Sequence, residues 1–245
     1  MIFFLHKKNI FLFLFTIYMS VTGTLKAQSL NPDTLFPDLS DTDWIQKTQN
    51  LAFKSCNTDP HLAFQMAAIT LDSSVRYDYQ KGIAHAYNYM AISRATEGQL
   101  DSAKRFFLKS LNWFQKIHDY KSVASLHNNL GILYQKTGFM DSAIEHHFQA
   151  LAIRDSLQNH KGIINSYNNI IGIYKDKGNL DVAMEYTDKA RKLIDSLDIE
   201  TPDRAHILGN KGLILLKKKQ YTKALSLFQQ SLELFQQQEH DYGIS

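Results

Sequence analysis

The chain has 245 residues, with 27 basic and 24 acidic side chains and a formal net charge of +3. Residues 1–27 hold three lysines and no acidic residue, so the remainder balances at 24 basic against 24 acidic, which argues against a nucleic-acid-binding surface. A hydrophobic content of 44% excludes a disordered chain, and a single cysteine, Cys56, excludes an intrachain disulfide framework and a cysteine zinc ribbon.

The first element is a leader. Lys7 and Lys8 precede an apolar run from Ile10 to Val21, and small or weakly polar residues follow up to Ala27. This is the layout of a secretory signal peptide over residues 1–27, with cleavage expected after Ala27 or, as the alternative, after Gly23. The run is shorter than the roughly 20 apolar residues of a membrane span. An exported, periplasmic or extracytoplasmic protein is the expectation, with Cys56 as a buried or half-buried small apolar residue. Residues 28–41, with Pro32 and Pro37, read as a linker.

From 61 to 201 there is no proline, which points to helices. That stretch is also self-similar. Lys81-Gly82-Ile83 returns as Lys161-Gly162-Ile163, and Asn128-Asn129 as Asn168-Asn169. Asp101-Ser102-Ala103 returns as Asp141-Ser142-Ala143 and again in Asp181-Val182-Ala183. These agree on a period of 40 residues, which divides the chain into a degenerate helix pair (42–80) and repeats at 81–120, 121–160, 161–201 and 202–241. Residues 242–245 read as the opening of one further repeat, and the chain as the N-terminal part of a longer protein.

Each unit predicts two helices, for example 121–137 and 141–158, joined at Gly98, Gly138, Gly178 or, in the last unit, Lys219. Asp101, Asp141 and Asp181 fit an N-cap or first turn. Gly131 and Gly212 lie inside first helices despite the cost of mid-helix glycine, about 1 kcal/mol. Second helices place small residues at Ala103, Ala143, Ala183 and Ala224, and again at Ser110, Ala150, Ala190 and Ser231. These positions predict close approach of antiparallel helices, with Phe106, Phe107, Phe148, Tyr186 and Phe228 filling the next layer.

A small residue in the first helix, then Tyr134, Tyr174 or Leu215, then the alanine of the second helix: this pattern resembles the tetratricopeptide repeat, in the extended 40-residue form of kinesin light chains. The likeness covers about 42–241. It departs from the pattern at Ile171 (where Gly172 beside it would restore room), at Arg94 in the place of Tyr134, and at Lys211 in an apolar slot. The resemblance implies an all-α fold, a right-handed α-solenoid of antiparallel helix pairs, with first helices lining a concave groove. It also implies a peptide or protein segment bound there, as in the sensory regions of exported bacterial proteins that continue into a histidine kinase or transcription-regulator output domain. A free-standing periplasmic or secreted scaffold for an envelope complex is the alternative.

Asparagine amides both donate and accept, which suits them to a bound peptide backbone. The positions matching the family's groove are His85, Tyr89, Ser125, Asn129, Asn165, Asn169, His206 and Asn210, with Lys136 and Lys175 at the far end. Neither a zinc spacing nor a catalytic signature occurs, so no metal, no cofactor and no enzymatic activity are expected. His146 and His147 are adjacent and point about 100° apart on a helix, unable to chelate from one face. His147 is expected to pack, and His118, His160 and His240 to lie at second-helix ends. Any membrane attachment would come from beyond residue 245. Without a capping element, Leu225, Leu232 or Phe228 is expected to stay partly exposed.

Overall fold

The structure, a computed structural model, describes residues 41–197 and 202–243. The leader and nearly all of the linker lie outside the described residues, as do the side chains from 238 onward. Ten helices and no strand occur among the described residues. They are α1 (Asp41–Ser55), α2 (Pro60–Arg76), α3 (Gln80–Thr96), α4 (Leu100–Lys116), α5 (Tyr120–Lys136), α6 (Met140–Ser156), α7 (His160–Asp176), α8 (Leu180–Ser196), α9 (Pro202–Lys217) and α10 (Tyr221–Gly243). The fold class is all-α, built from consecutive helix pairs.

The turns explain the regularity of the helix ends. Gly98, Gly138 and Gly178 adopt φ of +77°, +83° and +80°, the left-handed conformation that closes a helix and favours glycine. Lys219 takes the same place at +61°. The asparagine and aspartate caps fall on other helices than the expected ones. Asp119 accepts from the Ser122 backbone N–H at 3.1 Å and Asn159 from that of Gly162 at 3.0 Å. Asp101, Asp141 and Asp181 lie in first turns and make no cap bond, so their role there is to complement the helix dipole. His160 opens α7 instead of closing a second helix, a correction to its expected place.

The chain forms two compact units that divide between Glu97 and Gly98. In the first, α1, α2 and α3 pack around Trp44, Ile45, Ala52, Ala63, Met66 and Ala67. The Trp44 indole N–H donates to Ser73 Oγ (3.3 Å), and Thr70 donates to Thr48 (2.9 Å). Arg94 keeps its aromatic-type slot by laying its guanidinium 3.8 Å from the Phe64 ring centroid while binding Glu97 at 2.6 Å. Cys56 is buried, donates to the Ala52 carbonyl, and has its thiol pushed up to about 11 by burial.

In the second unit, α5/α6, α7/α8 and α9/α10 pack as pairs, and each pair lies against the next. The eight small residues expected at the close approaches, Ala103, Ser110, Ala143, Ala150, Ala183, Ala190, Ala224 and Ser231, are all buried. Closest approach is set by complementary volumes. A side-chain carbon on Gly131 would sit 2.6 Å from the His147 ring, and one on Gly212 would sit 2.6 Å from the Phe228 ring. The equivalent places in α7 and α8 hold Ile171 and Thr187, both fully buried, so a large first-helix residue faces a small second-helix one. Gly172 makes no room in this core: a carbon added there meets nothing within 4 Å. Lys211 enters its apolar slot with its ammonium on Asp188 at 2.9 Å. Leu225 and Leu232 are 59% and 56% exposed, and Phe228 is half-buried. α10 continues as helix to Gly243.

Candidate functional site

The candidate surface in the second unit is one face of the first helices α5, α7 and α9. On α5, Lys121, Ser125, Asn129, Ile132 and Lys136 recur at spacings that place them on one side. α7 repeats the face with Lys161, Asn165, Asn169, Gly172 and Asp176, and α9 with His206, Asn210, Leu213 and Lys217. The rows that run across the helices therefore have distinct chemistry: a row of small polar residues, a row of amides, an apolar row broken by Gly172, and a charged edge.

The amide row is joined internally. Asn169 Nδ2 donates to Asn128 Oδ1 at 2.7 Å, and Asn210 Nδ2 donates to Asn168 Oδ1 at 3.2 Å. Lys175 Nζ lies 3.4 Å from Asn210 Oδ1, and Lys217 Nζ donates to the Lys175 carbonyl at 3.4 Å. Each asparagine pair thus links two successive repeats by a part-buried bond, worth about 1 kcal/mol net. Asn128 and Asn168 are members of this ladder that the sequence reading left out. The signal was there in the doubled Asn-Asn, whose first members lie 100° round the helix from the second.

The expected residues fall in different surroundings. Ser125 and Asn165 are exposed, and Asn129, Asn169 and Asn210 are half-buried in the amide row. His206 is exposed, its ring 5.0 Å from that of Phe235. In the first unit Tyr89 is buried, with its hydroxyl pKa raised mainly by that burial. Its ring lies 5.9 Å from both Phe53 and His85, and Phe53 is 63% exposed. Tyr89 is therefore a packing residue beneath that face, and Phe53 is its solvent-facing neighbour.

A histidine cluster joins α5 to α6. His127 Nδ1 and His146 Nδ1 are 3.0 Å apart, and the His146 ring stacks on Tyr134 at 5.2 Å. His147 points the other way, into the core, fully buried with neither ring nitrogen hydrogen-bonded. Burial lowers the proton affinity of all three, to about 4 for His127 and His147. Arg154 is buried on the same helix and donates to the Gly162 carbonyl (3.1 Å) and Ser166 Oγ (2.8 Å). Among the described residues, no group of three histidine, cysteine or acidic side chains is placed to hold a metal ion. No helix described is long and apolar enough to cross a membrane.

The sequence profile of the tetratricopeptide repeat family matches residues 82–156 and 162–237. Among curated protein sequences, none matches this one. Among solved structures, a Podosopora anserina putative kinesin light chain with nearly identical TPR-like repeats is 15% identical, with a TM-score of 0.67, covering 82% of this chain and 99% of that one. RapI in its apo form is 15% identical at a TM-score of 0.63, over 85% of this chain and 89% of its own. Aspartyl phosphate phosphatase F from Bacillus subtilis is 12% identical at a TM-score of 0.68, over 83% of this chain and 63% of its own. At these identities the structural likeness shows the fold alone.

Proposed function

The chain belongs to the tetratricopeptide repeat family, a family of repeat scaffolds for protein interaction, and we propose that it binds an extended peptide or protein segment along the α5–α7–α9 face. The observation that carries this is the amide row at half-buried Asn129, Asn169 and Asn210, edged by exposed Ser125 and Asn165. Amides so placed offer both donors and acceptors to a backbone in extended conformation. Repeats of this family are typically non-catalytic, and the reading assigns no reaction and no cofactor to the chain.

The test is selection of binding peptides from a random library on the chain, followed by Asn129→Ala with Asn169→Ala. Binding should fall at least about tenfold, the equivalent of one or two lost hydrogen bonds. Affinity unchanged in a variant that melts normally would refute the groove.

We further read the protein as exported, on the strength of the Lys7-Lys8 and Ile10–Val21 leader. In that compartment the repeats would serve as the sensory part of a signal-transduction protein. RapI and phosphatase F share the fold, which is compatible with such a role and does not select it over a free-standing envelope scaffold.

A further inference from the structure

Two features of the α5–α7–α9 face define the chemistry of its ligand. The first is charge. These three helices carry seven basic residues (Lys121, Lys136, Lys161, Lys175, Arg204, Lys211, Lys217) against two acidic ones, Asp176 and Asp203. Their pair partners α6, α8 and α10 carry five basic residues against ten acidic. Arg204 and Lys211 are paired with Asp195 and Asp188 of α8. Among the described residues, the other five meet no carboxylate. Lys121, Lys136, Lys161 and Lys217 are exposed, on both long edges of the amide row. Exposed Asp176 stands between Lys136 and Lys217 in their row, and the excess of basic charge around it still attracts and orients the opposite sign.

The second feature is a gap in the apolar row. Ile132 of α5 and Leu213 of α9 are 37% and 39% exposed, beside the polar rows. Between them, at the equivalent place on α7, stands Gly172, and a side-chain carbon there would meet nothing within 4 Å. A mid-helix glycine with open space above it serves no packing purpose and costs helix stability, about 1 kcal/mol against alanine. The face thus has open space over Gly172 in a row whose neighbouring positions are the partly exposed aliphatic side chains Ile132 and Leu213.

Building on the groove reading, we propose that this face binds an acidic segment and seats one aliphatic side chain of that segment over Gly172, between Ile132 and Leu213. The carboxylates flanking the anchor meet Lys121 and Lys161 on one edge and Lys136, Lys175 and Lys217 on the other. The amide row takes the backbone between them.

The experiment uses a positional-scanning library of blocked heptapeptides on the full chain, with a twelve-nucleotide single-stranded DNA as a competing polyanion. The expected result is enrichment of Asp and Glu over Lys and Arg, with one position selecting Leu, Ile or Met. Gly172→Val, which fills that open space and favours no unfolding, should cut the preference for that aliphatic residue about tenfold, the range for lost methylene-sized contacts. Gly172→Ala should act in the same direction, more weakly. Lys136→Glu with Lys217→Glu should weaken the selected acidic peptide at least about tenfold and flatten its salt dependence. Selection of neutral or basic peptides that still lose binding with Asn129→Ala and Asn169→Ala overturns the acidic ligand and leaves the groove reading standing. Peptides insensitive to both the asparagine and Gly172 variants overturn both. DNA binding tighter than any heptapeptide overturns the peptide identity.

Discussion

Replacing His147 with phenylalanine should stabilise the protein, and more so in acid. His147 is fully buried between α5 and α6 with both ring nitrogens unpartnered, its ring against Gly131. The same column holds Phe228, whose ring lies against Gly212 at the same 2.6 Å from a hypothetical side-chain carbon, so a phenyl ring fits this kind of site. Leaving a buried N–H unsatisfied costs about 1–3 kcal/mol, and the phenylalanine removes that cost. Burial, reinforced by the Arg154 charge and by His146, lowers the His147 pKa from 6.5 to about 4. The folded state then holds His147 neutral, while the unfolded chain takes up a proton as pH falls below 6.5. Stability is therefore present above pH 6.5 and is lost progressively down to about pH 4. Linkage puts the loss from this one residue at about 2 kcal/mol between pH 7.5 and 5.0. His127 has its own pKa lowered to about 4, chiefly by burial, and it stays in the variant, so part of the acid sensitivity remains. Urea unfolding at pH 7.5, 6.0 and 5.0 measures this. The variant should be more stable at pH 7.5 by about 1 kcal/mol or more and should lose about 2 kcal/mol less on going to pH 5.0. Parallel stability curves for the two proteins, or a destabilised variant at pH 7.5, would refute the reasoning.

Gly131→Ile alone should destabilise by about 1–3 kcal/mol through overpacking against His147, and adding His147→Thr should restore most of it, because that pair copies Ile171 and Thr187; urea midpoints give the coupling. Arg154→Met should be neutral or raise the melting temperature, since the buried guanidinium has no carboxylate among the described residues and Ser166 can turn its hydroxyl to the Gly162 carbonyl one turn back. Cys56 should react with a thiol reagent only on unfolding at pH 8, where its pKa of about 11 keeps it protonated; fast labelling of the native protein would contradict its burial. Mass spectrometry of the protein expressed in a bacterial host should find Gln28, or Thr24 as the alternative, at the N-terminus of the extracytoplasmic fraction; protein found only in the cytoplasm with Met1 intact would remove the export reading.

The helices and their pairing were legible because the repeat offers the same column several times. Ala103, Ala143, Ala183 and Ala224 carry one message four times over, and the structure buries all four. What a column could not reveal is compensation between columns. Ile171 looks like a defect in a series of small residues, and the adjacent Gly172 looks like its remedy. The actual remedy is Thr187, sixteen residues away on the partner helix, while Gly172, about 100° round the helix from Ile171, opens into free space. Arg94 and Lys211 were departures of the same kind. Each keeps an apolar slot by laying its stem inward and taking its charge to a ring or a carboxylate, which requires a neighbour that spacing alone does not identify. Caps were missed for a related reason. Aspartate suits both a cap and a first turn, and only the backbone path shows that Asp119 and Asn159, not Asp141 and Asp181, accept the orphan N–H groups.

The charge count shows most clearly where composition stops being informative about a site. Twenty-four basic against twenty-four acidic residues reads as a body without electrostatic character. Over three helix pairs that neutrality is a cancellation. The first helices carry a net of +5 and their partners a net of −5. Only Arg204 and Lys211 of the first helices meet partner-helix carboxylates, Asp195 and Asp188, so most of the opposed charge is not neutralised pair by pair. A Debye length of about 8 Å at physiological ionic strength is shorter than the width of a helix pair, and an approaching ligand meets one sign at a time. The inter-repeat ion pairs Lys177–Asp141 and Lys218–Asp181 sit beside the turns, away from the amide row, and leave the lysines of the groove face unneutralised. Partner chemistry in such an array is therefore written in which helix of each pair holds the charge, and not in the sum. Placing two carboxylates on the groove face, as in Lys136→Glu with Lys217→Glu, changes two exposed side chains and takes the first helices from a net of +5 to +1, which removes most of what draws an acidic ligand to that face.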